Sequence, residues 1–386
     1  MKRVVIMSGE ASGDLHGANL AREIRKQDPS IALYGVGSRQ MKDAGVKMLA
    51  DASEISVVGI TAVLTHIGAI YRVFTKLKRF LKDERPDILV LIDFPDFNIR
   101  LGKAARKLGI PVVYYISPQV WVWRKGRIKT IAGIVKAMIV VFPFEVPLYE
   151  KAGVDVRFVG HPLTDVVRSD LTAGQAKQVL GLETARRTIA LLPGSRKSEI
   201  VHLLPDMLAA AKILLSRFQG LQFVLPVAPT VDRDFVRSFV EQGGVPVRMV
   251  EGRTYDALKA SDAAIVASGT ATLETGLMAL PMVIAYRISS LNYFILTKLV
   301  RGVKDVGLVN IVAGKRIVPE LVQDYSTPRN MADAVTKMLG DPVYYKEVAD
   351  SLACMRTLLG EVGASARAAA VVMEVLRSAG KNHGNL

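Results

Sequence analysis

The sequence predicts an α/β protein made of two doubly wound, parallel-sheet domains facing each other across a cleft. Two glycine-bearing turns carry most of that prediction. Gly9-Glu10-Ala11-Ser12-Gly13-Asp14 follows a strand-like run at 3–8, Leu192-Pro193-Gly194-Ser195-Arg196 follows one at 188–192, and a helical pattern comes after each. The third observation is compositional. Of the 386 residues 50% are hydrophobic but only 6% aromatic, so the apolar content is Val, Ile, Leu and Ala, as strands buried on both faces require. A parallel strand that turns through glycine into a helix leaves backbone N–H groups and the positive end of the helix dipole at the turn, a seat for a phosphate or carboxylate.

In the first half, apolar runs at 3–8, 31–36, 88–92, 112–116 and 138–142 alternate with helical patterns at 14–26, 66–82, 97–108 and 126–136. Gly160-His161-Pro162-Leu163 breaks the alternation and reads as a linker. Strand candidates resume at 188–192, 222–226, 247–250, 263–267 and 282–286, with helices between them. The expected organisation is a first domain over 1–165, a second over 166–345, a helical segment over 346–378 packing back across the domain junction, and a frayed tail at 379–386.

One cysteine, Cys354, excludes a disulfide framework and a four-cysteine zinc site, and the five histidines lack metal-ligand spacing; no metal and no cofactor are expected. The residues suit a reducing cytoplasm, and the longest apolar run, 137–144, is too short to span a bilayer. The 51 Lys+Arg against 36 Asp+Glu give a net charge of +15, which favours a polyanionic partner: nucleic acid or an anionic membrane surface. Nucleic acid is disfavoured because aromatics are not interleaved with the basic clusters as stacking platforms. Two basic amphipathic stretches fit a membrane interface: 63–82, with Ile67, Ile70, Tyr71, Phe74 and Leu77 beside Lys78 and Arg79, and 287–304. The alternative for each is a core-facing helix with a solvated basic face.

Candidate chemistry gathers after the strands. Ser268-Gly269-Thr270-Ala271-Thr272 follows the run 263–267 and opens a helix whose N–H groups can hold a diphosphate. Glu274, one turn on, is placed to accept from paired ribose hydroxyls, and Arg196 to neutralise a phosphate. Glu274 can equally be a residue that only complements the helix dipole. Asp93 and Asp96 follow the run 88–92, in the zone for a general base, with helix capping the other role for Asp96. His16 faces the same cleft, as do Glu10, Ser12, Gly13 and Asp14 of the first glycine turn and Asn98 beside the aspartates. Gln119 and Trp121, in Ser117-Pro118-Gln119-Val120-Trp121, are placed to meet a sugar or lipid. Neither glycine turn completes Gly-x-Gly-x-x-Gly, which argues against a dehydrogenase.

Together and in this order, these segments resemble the lipid-A-disaccharide synthases, two-domain glycosyltransferases of the GT-B type. Phe142-Pro143-Phe144-Glu145, Gly160-His161-Pro162, Asn310-Ile311-Val312-Ala313 and Pro319-Glu320-Leu321-Val322-Gln323 fit as well. The resemblance implies a GT-B fold of two Rossmann-like domains, a donor UDP-2,3-diacylglucosamine, an acceptor 2,3-diacylglucosamine 1-phosphate, and a β-1,6-linked disaccharide 1-phosphate with UDP released. It implies peripheral attachment to the cytoplasmic face of a Gram-negative inner membrane, and it leaves a homodimer open. Asp96 is then expected as the base, with Arg196 stabilising the leaving group. Gly194, Ser195, Ser268–Thr272 and Glu274 hold UDP, and Asn310 and Gln323 line the donor side. The alternatives are a related enzyme acting on another UDP-sugar, such as a peptidoglycan glycosyltransferase or a UDP-GlcNAc 2-epimerase, or a non-enzymatic nucleotide-binding protein.

Overall fold

The computed structural model describes residues 1–55, 60–118, 126–288 and 305–381. They fall into two compact units, Met1–Asp165 with Gly360–Leu386, and Val166–Leu359. In the first unit the chain runs β1 (Arg3–Ser8), α1 (Ala11–Gln27), β2 (Ala32–Gly37), α2 (Arg39–Asp43), β3 (Lys47–Asp51), α3 (Ile60–Glu84), β4 (Ile88–Ile92), α4 (Pro95–Lys107), β5 (Val112–Tyr115), α5 (Arg127–Ala132), β6 (Ala137–Val140), α6 (Val146–Glu150), β7 (Val156–Phe158) and α7 (Leu163–Val166). The seven strands lie in the order β3-β2-β1-β4-β5-β6-β7, all neighbours parallel.

The second unit contains α8 (Ala173–Val179), β8 (Arg187–Leu192), α9 (Lys197–Arg217), β9 (Leu221–Val227), α10 (Arg233–Gly243), β10 (Val247–Glu251), α11 (Thr254–Lys259), β11 (Ala263–Ala267), α12 (Thr270–Leu277), β12 (Met282–Tyr286), α13 (Leu308–Ala313), β13 (Glu320–Val322), α14 (Pro328–Gly340) and α15 (Pro342–Leu358). Its sheet order is β10-β9-β8-β11-β12-β13, again parallel. The direction of winding reverses between β1 and β4 in one unit and between β8 and β11 in the other. Each reversal opens a crevice at the carboxyl ends of two adjacent strands. The four turns singled out from the sequence follow these four strands.

The central strands are apolar on both faces because helices cover both. Val4–Met7 and Ile88–Leu91 are fully buried, as are Ile189–Leu191 and Ala263–Val266. Three short strands carry no comparable apolar run: β3, β7 and β13 are only partly buried.

Helix α3 settles part of the surface question. Val73, Leu77 and Leu81 recur every four residues and are buried in the core of the first unit, against Leu89, Leu101 and Tyr114. Leu77, expected at a membrane, is therefore a core residue, 1% exposed. Ile67 and Tyr71 stand out at 60% and 69% exposed, Ile70 and Phe74 are half-buried, and Lys78 and Arg79 are exposed. Of the second basic stretch, residues 289–304 lie outside the described residues.

The segment expected over 346–378 is not one element. It divides between α15, in the second unit, and a last helix, α16 (Ala364–Lys381), in the first. Gly360 and Gly363, at φ +81° and +99°, separate them in a conformation other residues resist. The Asp165 carboxylate then caps α16, accepting from the backbone N–H groups of Gly363 (2.6 Å), Ala364 (3.2 Å) and Ser365 (3.1 Å). Helix α16 runs to Lys381, so residues 379–381 of the expected frayed tail are helical, and 382–386 lie outside the described residues.

Candidate active site

The turn after β8 is built around an internal carboxylate. Glu199, in the first turn of α9, accepts from the backbone N–H of Ser195 (2.9 Å) and Arg196 (3.2 Å) through one oxygen, and from the Arg196 guanidinium (3.0 Å) through the other. Gly194 sits at φ +113°, and a Cβ there would run into Glu199. The anion seat expected at Gly194-Ser195-Arg196 thus already holds the chain's own negative charge. The Arg196 side chain is 48% exposed.

The turn after β11 differs. No side chain caps α12, whose N-cap is Gly269 at φ +151°. The hydroxyls of Ser268 and Thr272 are turned onto backbone carbonyls, of Val306 and Gly269, both at 2.8 Å. These side chains are scaffold, and what the turn presents at Thr270 and Ala271 is the helix N-terminus. Glu274 lies one turn on, half-buried, and accepts a hydrogen bond from the Tyr255 hydroxyl at 3.0 Å. Burial pushes its carboxyl above the usual range, and the Tyr255 hydrogen bond opposes that.

Two residues expected to line the donor side do other work. Asn310 is fully buried, with its amide N–H groups donating to Val318 O and Glu320 Oε1 and its oxygen accepting from Ile317 N and Val318 N. All its hydrogen-bonding capacity goes to folding the 317–320 segment. Gln323 pairs both ends of its amide with the backbone of Ile288, at 2.8 and 3.0 Å. Both amides are engaged by the protein's own groups.

In the first unit the turn after β4 is strained. Asp93 and Phe94, consecutive and not glycine, have φ +44° and +47°. Tyr114 OH donates to Asp93 O (2.6 Å), and Asn98 Nδ2 donates to Asp93 O (2.8 Å) and Ile92 O (3.1 Å). Fully buried Asn98 is therefore the staple of this turn, not a cleft residue as expected. The Phe94 ring packs over the next turn so closely that only glycine fits at position 9. The Asp93 carboxyl is pushed up to about 6, first by burial and then by the negative charge of Glu10. Asp96, the expected base, has a side chain 72% exposed and ion-paired with Arg127.

Asp14 is likewise committed: it accepts from the backbone N–H of Ser38 (2.6 Å), Gln40 (3.0 Å) and Met41 (3.3 Å), capping α2, and it is 3% exposed. Gly13 lets α1 approach the Ser8 hydroxyl. Ser12 is exposed on the first turn of α1, and Glu10 is half-buried before it. His16 is buried 6.4 Å, ring to ring, from His161, and burial lowers the two imidazoles to about 4 and about 3. Both are neutral at pH 7. Gln119 and Trp121 lie outside the described residues. Among the described residues, no group of three or more His, Cys, Asp or Glu could hold a metal ion.

Sequence reasoning missed Tyr255, Tyr114 and Arg127, which bear no motif. Glu199 had a signal, since it stands three residues after Arg196 in capping-box spacing.

Two Rossmann-like units, each with candidate groups at its winding reversal, are the architecture of the GT-B glycosyltransferases and their epimerase relatives. Over 98% of both chains, this chain superposes with TM-score 0.66 and 14% identity on a putative UDP-N-acetylglucosamine 2-epimerase from Listeria monocytogenes. With Acinetobacter baumannii MurG the TM-score is 0.60 at 13% identity, over 97% of this chain and 100% of that one. A family model described as lipid-A-disaccharide synthetase matches residues 4–372. Lipid-A-disaccharide synthases from Geobacter metallireducens and Syntrophus aciditrophicus are 46% and 47% identical, over 97% of this chain and 97% and 98% of theirs. The chain belongs to the lipid-A-disaccharide synthase family.

Proposed function

We propose that the chain is an inverting glycosyltransferase that joins UDP-2,3-diacylglucosamine to 2,3-diacylglucosamine 1-phosphate. The observation that carries this reading is the family match over residues 4–372, which takes in residues of both units. The donor's sugar–phosphate bond is α and the product linkage β, so one displacement suffices. A base takes the proton of the acceptor 6-hydroxyl, that oxygen attacks the anomeric carbon, and the bond to UDP breaks with its electron pair leaving on the diphosphate. Arg196 and the N–H groups of Thr270 and Ala271 receive that charge, and Glu274 holds the ribose.

Asp93 is the better candidate for the base. Its carboxyl, near 6, is both ionised at neutral pH and basic enough to accept a proton in the transition state, whereas the Asp96 side chain is 72% exposed and ion-paired with Arg127. Incubation with both lipid precursors, read by mass spectrometry for UDP and the disaccharide and by NMR for the anomeric configuration, tests the reaction. No product, or an α linkage, overturns it.

The exposed Ile67 and Tyr71, with exposed Arg72, Lys76, Lys78 and Arg79 on the same helix, support contact with the anionic cytoplasmic face of the inner membrane. Ile67→Ser with Tyr71→Ser is expected to reduce flotation with anionic vesicles several-fold, and unchanged flotation would remove α3 as the contact.

A further inference from the structure

Tyr255 belongs to none of the motifs that point to the nucleotide. It lies in the first turn of α11, half-buried, and the hydroxyl donates to one specific oxygen of Glu274. The element that carries it is anchored. Ala257 and Leu258 are buried in the second unit, and Asp256 accepts from Ser169 Oγ (2.7 Å) and from Arg253 (3.1 Å). Burial and the neighbouring Glu274 push the phenol well above its ordinary value, so Tyr255 stays protonated and can only donate to that carboxylate.

We infer that Tyr255 is a positioning residue for nucleotide recognition: by engaging Oε1 of Glu274 it fixes the carboxylate's rotamer and presents Oε2 to the ribose hydroxyls of a nucleoside diphosphate. The inference rests on the proposed ribose role of Glu274. A carboxylate on a flexible three-bond stem loses rotamer freedom when it binds a diol, and a tyrosine already holding one oxygen removes part of that cost. The spacing fits too. Glu274 stands three to four residues beyond Thr270 and Ala271, a rise of ~5 Å along α12, comparable to the offset between a nucleotide's phosphate and its ribose diol. A tyrosine that merely tied α11 to α12 would affect every ligand equally.

Calorimetric titration of UDP and of 2′,3′-dideoxyuridine 5′-diphosphate into wild type, Tyr255→Phe and Glu274→Gln separates these roles. Phenylalanine keeps the ring and its packing, and a melting curve checks that each variant is folded. Wild type is expected to prefer UDP over the dideoxy analogue by about tenfold or more. Tyr255→Phe is expected to lose most of that preference while binding the analogue as wild type does. An unchanged preference in Tyr255→Phe, or equal weakening of both ligands, overturns the positioning role. If wild type shows no preference, or Glu274→Gln leaves it intact, the ribose reading of Glu274 fails and takes this inference with it.

Discussion

The two winding reversals are built on the same strand–turn–helix plan and carry different groups. In the first unit, Glu10 and Asp93 bring carboxylates to the ends of β1 and β4, and the fold keeps Asp93 half-buried beside a like charge at the cost of two strained backbone positions. In the second, the end of β8 carries Arg196 paired with Glu199, and the end of β11 carries the uncapped N-terminus of α12. A parallel sheet thus supplies position and not chemistry. One crevice raises a carboxyl by burial and then by a neighbouring negative charge; the other presents the N–H groups of a helix N-terminus. The two turns of the second unit differ in turn, because Glu199 already fills one of them.

The largest effect expected from this contrast is at Asp93. Asp93→Asn should lower kcat by about 10²- to 10⁴-fold, and Asp96→Asn by less than about tenfold. The reverse order in steady-state assays would return the base to Asp96. Arg196→Ala should weaken UDP about ten- to a hundredfold in calorimetry, since hydrogen bonds to charged groups contribute roughly 1.5–3 kcal/mol. Asp93→Asn should leave UDP affinity unchanged, and equal losses from both would erase the division of labour.

Much of this arrangement is legible in the residues alone, for a physical reason. Strands buried on both faces must be continuously apolar, so the runs at 88–92 and 263–267 mark themselves, and the candidate groups follow them. Edge strands β3, β7 and β13, half open to solvent, need no such run and leave no trace. Side-chain direction is the harder matter. Asp14, Asn98, Asn310 and Gln323 are polar residues in recognisable segments, which makes them look like ligands. Each is spent on backbone groups that a tight loop leaves without partners. Asp93 and Asp96 stand three positions apart in one motif, and only burial tells them apart.

Smaller effects sharpen the same contrast. Glu199→Gln keeps an acceptor for the Ser195 and Arg196 N–H groups but removes the resident charge, and should tighten UDP by about two- to fivefold. Weaker binding would mean that Glu199 serves to aim Arg196.

The last expected effect is on stability. Asp93 titrates near 6 in the folded protein against an ordinary 3.8, so the fold holds that proton more tightly than the unfolded chain. Stability present below about pH 4 is lost as pH rises to about 6. Asp93→Asn cannot ionise and should melt a few degrees above wild type at pH 8 and together with it near pH 4, by calorimetry. With Asp93 as the base, kcat/KM is expected to rise with pH to a plateau above about 6, and a pH profile without that rise would remove Asp93 from the role.

The capping of α16 by Asp165 has a consequence for biosynthesis. The first unit is made of two stretches with the whole of the second between them, and its last helix lies near the end of the chain. During translation the second unit can therefore close while the acid-bearing one still waits for its final helix. A chain cut after residue 359 keeps every residue of the second unit and leaves the first without its closing helix.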